Sequence, residues 1–246
     1  MAVSVDIKAL FEAGVHFGHK TSRWHPKMAP YIHSKRQESH IIDLVKTVEA
    51  LDKALPFLTK VTTGGKQVLF VGTKKQAKDA VRSAAERANQ PFVTERWIGG
   101  MLTNSSTVNQ QIKKLKDLEK RMASGELEKR YSKLEVQRFQ EEIDLLNMKY
   151  GGIKNLNGRP GALFVTDVIT DANAIKEANT LGIPVVAIVD TNANPAGVEY
   201  IVPGNDDAIK SIEQLLDYAV QAVSEGAAGA AKPADAEKKG AKEEEK

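Results

Sequence analysis

Short apolar runs separated by longer stretches of helical periodicity organise most of this chain. Gln67–Gly72 and Ala162–Thr166 are too short and too apolar for helices, and each precedes a polar turn and a helical pattern, as buried parallel strands do. Val185–Val189 follows Gly182-Ile183-Pro184, where the glycine ends a helix and the proline leads into a strand. Tyr200–Val202, ahead of Pro203-Gly204, reads as a fourth strand. Helices are expected over Lys75–Asn89, Ala172–Leu181 and Asp207 to about Val223, where Ile209, Ile212, Leu215, Leu216, Ala219, Val220 and Val223 recur at helical spacing. Strands alternating with helices predict an α/β three-layer domain with a mostly parallel sheet.

From Thr107 to Tyr150 the rhythm changes. Val108, Ile112, Leu115, Leu118 and Met122 step by four, three, three and four, the spacing of a coiled-coil seam. Ala123–Glu126 reads as a turn, and a return helix is expected to face Leu127, Tyr131, Leu134, Phe139, Ile143 and Leu146 inward. The pattern predicts a helical hairpin projecting from the body, each arm on the order of 25–30 Å long. Two helices lying flat on the sheet satisfy the same periodicity. The last stretch, EGAAGAAKPADAEKKGAKEEEK, holds nothing more apolar than alanine and is expected to be disordered. The resulting division is 1–106 for the N-terminal segment and first half of the body, 107–150 for the hairpin, 151–225 for the second half, and 226–246 for the tail.

Composition adds limits. With 246 residues, 41% hydrophobic and 27% charged, the chain suits an ordinary globular fold that buries roughly 70–75% of its unfolded surface. No apolar run is long enough for a membrane span, so no membrane partner is expected. The opening MAVSVDIKALFEAG has no basic segment, apolar core and small-residue cleavage site in succession, so no signal peptide is read there. With zero cysteines, disulfides, thiolate catalysis and cysteine zinc sites are excluded, in keeping with a cytoplasmic location. A net charge of +3 is too small to argue for a polyanionic partner, so the distribution of charge decides.

That distribution is uneven. The segment Gly14–His40 contains all five histidines of the chain, and between residues 20 and 36 it carries Lys20, Arg23, Lys27, Lys35 and Arg36 with no acid. These cations interleave with Trp24, His25, Tyr31 and His33, and Pro26 and Pro30 stiffen the run. Cations neutralise phosphates and planar rings stack on unpaired bases, which points to RNA. A solvated basic loop whose Trp24 merely plugs the body has the same composition. A second cluster, Glu95–Asn104, combines Arg96 and Trp97 with Gly99-Gly100, where bare backbone permits sharp turns and close approach, and with Asn104 as a cap for the next helix. Lys74 and Lys75 after the first strand, and Lys113 and Lys114 on the hairpin, complete the candidate RNA contacts. The remaining hairpin charges are mixed and read as a solvated face, leaving the tip around Arg121, Lys129 and Arg130 free to dock RNA or protein.

Other chemistries find weaker support. His16 and His19 sit at i, i+3, a spacing that suggests zinc, but Gly18 interrupts the helix and no carboxylate motif accompanies them, so no cofactor is expected. Gly72-Thr73-Lys74-Lys75 lacks the spacing of a phosphate loop, and no Gly-x-Gly-x-x-Gly follows a strand. Asp167, Asp171 and Asp190 near strand ends resemble a phosphotransfer pocket, although Asp171 with Asn173 also reads as a helix cap. A phosphate- or nucleotide-binding enzyme on this fold is therefore the competing reading, resting on fold analogy alone.

Four stretches, GVHFGHKTSRWHPKMAPYI, FVGTKKQA, RWIGGMLTN and PGALFVTDVITDANAIKEANTLGIPVVAIVDTNANP, occur in that order. Together they make the chain, over about residues 3–225, similar to the bacterial small-subunit ribosomal protein S-two family. The resemblance implies a flavodoxin-like α/β sandwich with a protruding coiled-coil hairpin, seated on the solvent side of the small subunit where head meets body. It also implies contacts with small-subunit ribosomal RNA and neighbouring ribosomal proteins, a part in recruiting the messenger-binding protein S-one, and no catalytic activity.

Overall fold

The computed structural model describes residues 3–240. After α1 (Ile7–Glu12), the chain forms a small antiparallel sheet from β1 (Phe17–Lys20), β2 (Ile32–Arg36) and β3 (Ser39–Ile42), in the order β1-β3-β2. A 3-10 turn at Pro26–Tyr31 joins its first two strands. Then follow α2 (Leu44–Thr63), β4 (Val68–Val71), α3 (Lys78–Arg87), β5 (Phe92–Val93), α4 (Ser105–Ala123), α5 (Glu126–Arg130) and α6 (Lys133–Tyr150). The chain continues through β6 (Ala162–Val165), α7 (Ala172–Thr180), β7 (Val185–Val189), β8 (Tyr200–Pro203) and α8 (Ile209–Gly240).

The main sheet has five strands in the order β5-β4-β6-β7-β8, and every neighbouring pair is parallel. This is the doubly wound flavodoxin-like order, which reverses direction between β4 and β6. Alternate strand residues serve two cores. Val68, Phe70, Ala162, Phe164, Val186 and Ile188 pack toward α2, α3 and α8, while Leu69, Val71, Leu163, Val165, Val185, Ala187 and Val189 pack toward α7. Burial on both faces is why these strands read as unbroken apolar runs. Each Phe or Leu so buried contributes about 1.5–3 kcal/mol.

The hydrophobic pattern leaves three features unassigned. In β1, β2 and β3 most positions are polar and partly exposed, so no alternation marks them. The edge strand β5 is only two residues long. Helix α2 carries Pro56 in its interior, a residue that ordinarily signals a break, and is held by an Asp43 cap and by burial of Leu51, Ala54, Leu55 and Leu58.

The inserted helices depart from the expected seam. Val108 and Ile112 of α4 belong to the core beneath the main sheet, whereas Leu115 and Leu118 pack with Ile143 and Leu146 of α6. Leu134, expected inward, is 60% exposed, because the start of α6 has little packed against it. Tyr131 meets Phe139 edge-on at 5.1 Å. At the other end, α8 runs past the expected limit near Val223. Gly226 abuts Thr59 and Thr62 of α2 too closely for any side chain, so the packed part of α8 continues past the expected limit at residue 225. Residues 241–246 of the expected tail lie outside the described residues.

Candidate nucleic-acid interface

The small sheet and its 3-10 turn lie against the C-terminal end of β7. The His25 main-chain N–H donates to the Thr191 carbonyl at 2.8 Å, and the His19 N–H donates to Thr191 Oγ1 at 3.0 Å. Gly18 passes so close to Thr191 that a Cβ would come within 2.7 Å of its methyl group. Met28 is fully buried in the same core as Trp97. One apolar anchor thus frees the polar residues around it for the surface.

Lys20, Arg23, Lys27, Lys35 and Arg36 are all exposed, and none makes an ion pair among the described residues. Trp24 is 43% exposed, its ring 5.6 Å from buried His40. His25 is spent structurally: its Nδ1 accepts the Lys27 N–H at 3.2 Å. The β2–β3 turn places Gln37 and Glu38 at φ +46° and +64°, a left-handed conformation that two-residue hairpins demand and that favours glycine or asparagine.

The second cluster is organised by a residue that nothing in the sequence singles out. Glu177 Oε1 accepts the Trp97 indole N–H at 3.0 Å and the Gly100 N–H at 2.8 Å. Its Oε2 accepts the N–H groups of Leu102 and Thr103 at 3.0 and 3.1 Å, and the Thr103 hydroxyl at 3.1 Å. Burial works to raise the pKa of Glu177, but these donors outweigh it and hold the carboxyl below its usual range. Trp97 is 7% exposed, so its ring is a core anchor and not a stacking surface. Arg96 and Asn104 remain exposed beside it. Asn104 occupies the N-cap position, but its Oδ1 takes the Ser106 and Thr107 hydroxyls and no main-chain N–H.

The remaining candidates divide. Lys75 and Lys113 are exposed without an ion pair among the described residues, whereas Lys114 is neutralised by Glu142. Lys74 turns inward: its Nζ lies 2.8 Å from Asp206, 2.7 Å from Asp207 and 3.4 Å from Asp167, so it cannot serve an RNA phosphate. Desolvation opposes the Lys74 charge, but the hydrogen bonds it donates to Asp206 and Asp207 raise its pKa well above the usual value. The crevice where this fold accepts ligands is therefore filled by the chain's own ammonium group. Asp171 does not cap α7; it receives the Thr73 N–H and hydroxyl at 3.2 and 2.8 Å, and burial pushes its pKa up to about 6. Asp206 is pushed up to about 7 by burial and by the nearby Asp167 and Asp190 charges.

His16 and His19 do not converge on one ion. His16 is sandwiched between Phe11 at 4.4 Å and Phe17 at 4.0 Å, and burial lowers its pKa. His19 instead joins the acids, with Nδ1 3.0 Å from Asp190 and Nε2 3.3 Å from Asp207. Ligand atoms of His19, Asp206 and Asp207 fall within 4.8 Å of one another, a donor set that suits a divalent cation.

Comparison with known proteins agrees with this architecture. The profile of the family described as Ribosomal protein S2 matches residues 10–226. A protein of Aeromonas salmonicida (strain A449) named small ribosomal subunit protein uS2 is 50% identical over 224 residues, covering 91% of this chain and 92% of that protein. The uS2 proteins of Pseudoalteromonas atlantica and of Thermus thermophilus are 50% and 46% identical, over 91% and 95% of this chain and 91% of each relative. The chain belongs to the ribosomal protein S2 family.

Proposed function

We propose that the chain grips small-subunit ribosomal RNA through the exposed cations of residues 20–36 and the 96–104 loop, and that a separate apolar patch holds neighbouring proteins. As a member of its family it is a structural protein of the small ribosomal subunit of the cytoplasmic bacterial ribosome, and not an enzyme. One observation carries the RNA reading. Five cations between residues 20 and 36 stand in solvent, unpaired among the described residues, around a half-exposed Trp24, while Lys74, the lysine of the ligand crevice, is neutralised internally.

Ile7, Phe11 and Phe17 are 46%, 60% and 52% exposed around His16, an apolar surface that suits a protein more than a phosphate chain. The family resemblance implies the messenger-binding protein S-one as one protein partner, and this patch is the surface we assign to protein partners. No helix among the described residues is long and apolar enough to cross a membrane. The reading includes no cofactor. Should zinc bind, His19 with Asp206 and Asp207 is the place, in competition with the Lys74 ammonium.

The test is a variant with Arg23, Lys27, Lys35 and Arg36 all replaced by alanine. These side chains are exposed, so the fold should survive, and incorporation into the small subunit in competition with the unaltered protein should fall. The dependence of RNA affinity on salt should flatten by roughly 0.7–0.9 decades, per decade of salt, for each phosphate that is no longer neutralised. Unaltered incorporation and an unaltered salt slope would overturn the reading.

A further inference from the structure

Gly99 has no structural reason to be a glycine. Its φ is not left-handed, and a Cβ built on it meets nothing within 4 Å. Its neighbour Gly100 differs: φ is +86°, and a Cβ there would press on Asn104 at 3.2 Å. The fold therefore explains Gly100 and leaves Gly99 as bare main chain facing solvent.

The surroundings say what can lie against it. Glu177 gathers five donors from Trp97, Gly100, Leu102 and Thr103, so the loop is fixed before any partner arrives. Buried Trp97, Met101 and Leu102 pin it from below. Arg96 is exposed and makes no ion pair among the described residues, while the adjacent Glu95 is already neutralised by Lys78 at 2.7 Å and Arg82 at 3.3 Å. The first turn of α4 carries no acid. A rigid, side-chain-free ledge beside an unpaired guanidinium and a neutralised carboxylate favours a sugar–phosphate chain over an acidic or apolar peptide surface.

We propose that Gly99 is a direct main-chain contact for the RNA backbone, flanked by Arg96 and Asn104, with Glu177 as the positioning residue that presents it. This rests on the RNA reading above and adds to it a contact that charge cannot reveal. A methyl group at residue 99 blocks close approach while costing the fold nothing, since alanine at a compatible φ lowers only the freedom of the unfolded chain.

The experiment uses the full chain and deproteinised small-subunit ribosomal RNA, with affinity measured across a salt series and melting temperature alongside. Gly99→Ala should melt at or above the temperature of the unaltered protein yet bind RNA at least tenfold more weakly, with an unchanged salt slope. Arg96→Ala should flatten the slope by the equivalent of one phosphate. In Glu177→Gln, one accepting oxygen is replaced by an amide nitrogen that cannot accept, and the further loss on adding Arg96→Ala should shrink because the loop that carries Arg96 is no longer fixed. Normal RNA binding by Gly99→Ala overturns this inference, including the case in which only assembly with other proteins is impaired. If the unaltered protein itself binds without steep salt dependence, the RNA reading beneath it fails instead.

Discussion

Lys74 Nζ lies 2.8 Å from Oδ1 of Asp206, linking the loop after β4 to the loop after β8 across the crevice where related folds hold ligands. Both side chains are largely buried, at 18% and 2% exposure. Removing the cation leaves Asp167, Asp206 and Asp207 facing one another with only His19, which reaches Asp207 at 3.3 Å, as a counter-charge. Lys74→Met should therefore destabilise the chain by about 3–5 kcal/mol, read as the shift in urea midpoint at constant slope. Adding Asp206→Asn should recover part of that loss. A Lys74→Met protein as stable as the unaltered chain contradicts the role assigned to the pair.

The same cluster sets a pH dependence whose sign can be worked out. Asp206 holds a proton up to about 7 and Asp171 up to about 6, both chiefly because burial disfavours the carboxylate. His19 titrates above its usual value, mainly through its hydrogen bond to Asp190. Free aspartate titrates at about 3.9, so from there to neutrality the folded chain binds more protons than the unfolded chain, and stability falls as pH rises. The His19 contribution is complete below its unfolded value of about 6.5 and is lost as pH rises through the higher folded one. Asp167 and Glu177 are held below their usual values, against the opposing effect of burial, and act in the other direction only in acid, whereas His16 and His40, lowered chiefly by burial, act in the other direction up through about 6.5. Because the two histidines oppose the acids, the sign is read by difference: the urea midpoint of Asp206→Asn, relative to that of the unaltered chain at the same pH, should rise between about pH 4 and about pH 7. A relative midpoint that falls over this interval has the wrong sign.

The close passage of α8 over α2 makes a paired prediction. Gly226→Ala forces a methyl group against Thr59 and Thr62, and overpacking of this kind costs about 1–3 kcal/mol, partly offset by better helix propensity. At Gly229 the nearest atom is 3.9 Å from a built Cβ, so Gly229→Ala should be neutral or stabilising by up to about 1 kcal/mol. Thermal melts of the two variants should move in opposite directions. Identical small shifts would mean that this part of α8 does not pack on α2.

At the tip of the β2–β3 hairpin, Glu38 adopts φ +64° with a Cβ that this region disfavours. Glu38→Gly should stabilise the chain by about 1 kcal/mol, since left-handed backbone costs an L-residue roughly 1–2 kcal/mol. RNA affinity should hold or rise, because the substitution also removes the one acid beside Lys35 and Arg36. A lower melting temperature would show that the Glu38 side chain does more than form the turn.

The parallel strands were legible from their residues because both faces of the sheet are buried, which requires runs such as Val68–Val71 and Ala162–Val165 to be apolar throughout. The segments rich in cations and rings were legible for the same reason in reverse, since nothing inside a core tolerates Arg23, Lys27, Lys35 and Arg36 together. Which of those groups stay free was settled by residues far away in the chain. Lys74 is neutralised by Asp206, 132 positions later, and by its neighbour Asp207, and Trp97 is drawn inward by Glu177, 80 positions later. Local sequence sets the periodicity and chemical type of each segment, because these depend on near neighbours and on contact with water. The pairing of charges and the burial of a ring depend on which distant segments the chain brings within about 3 Å, and only the folded topology fixes that.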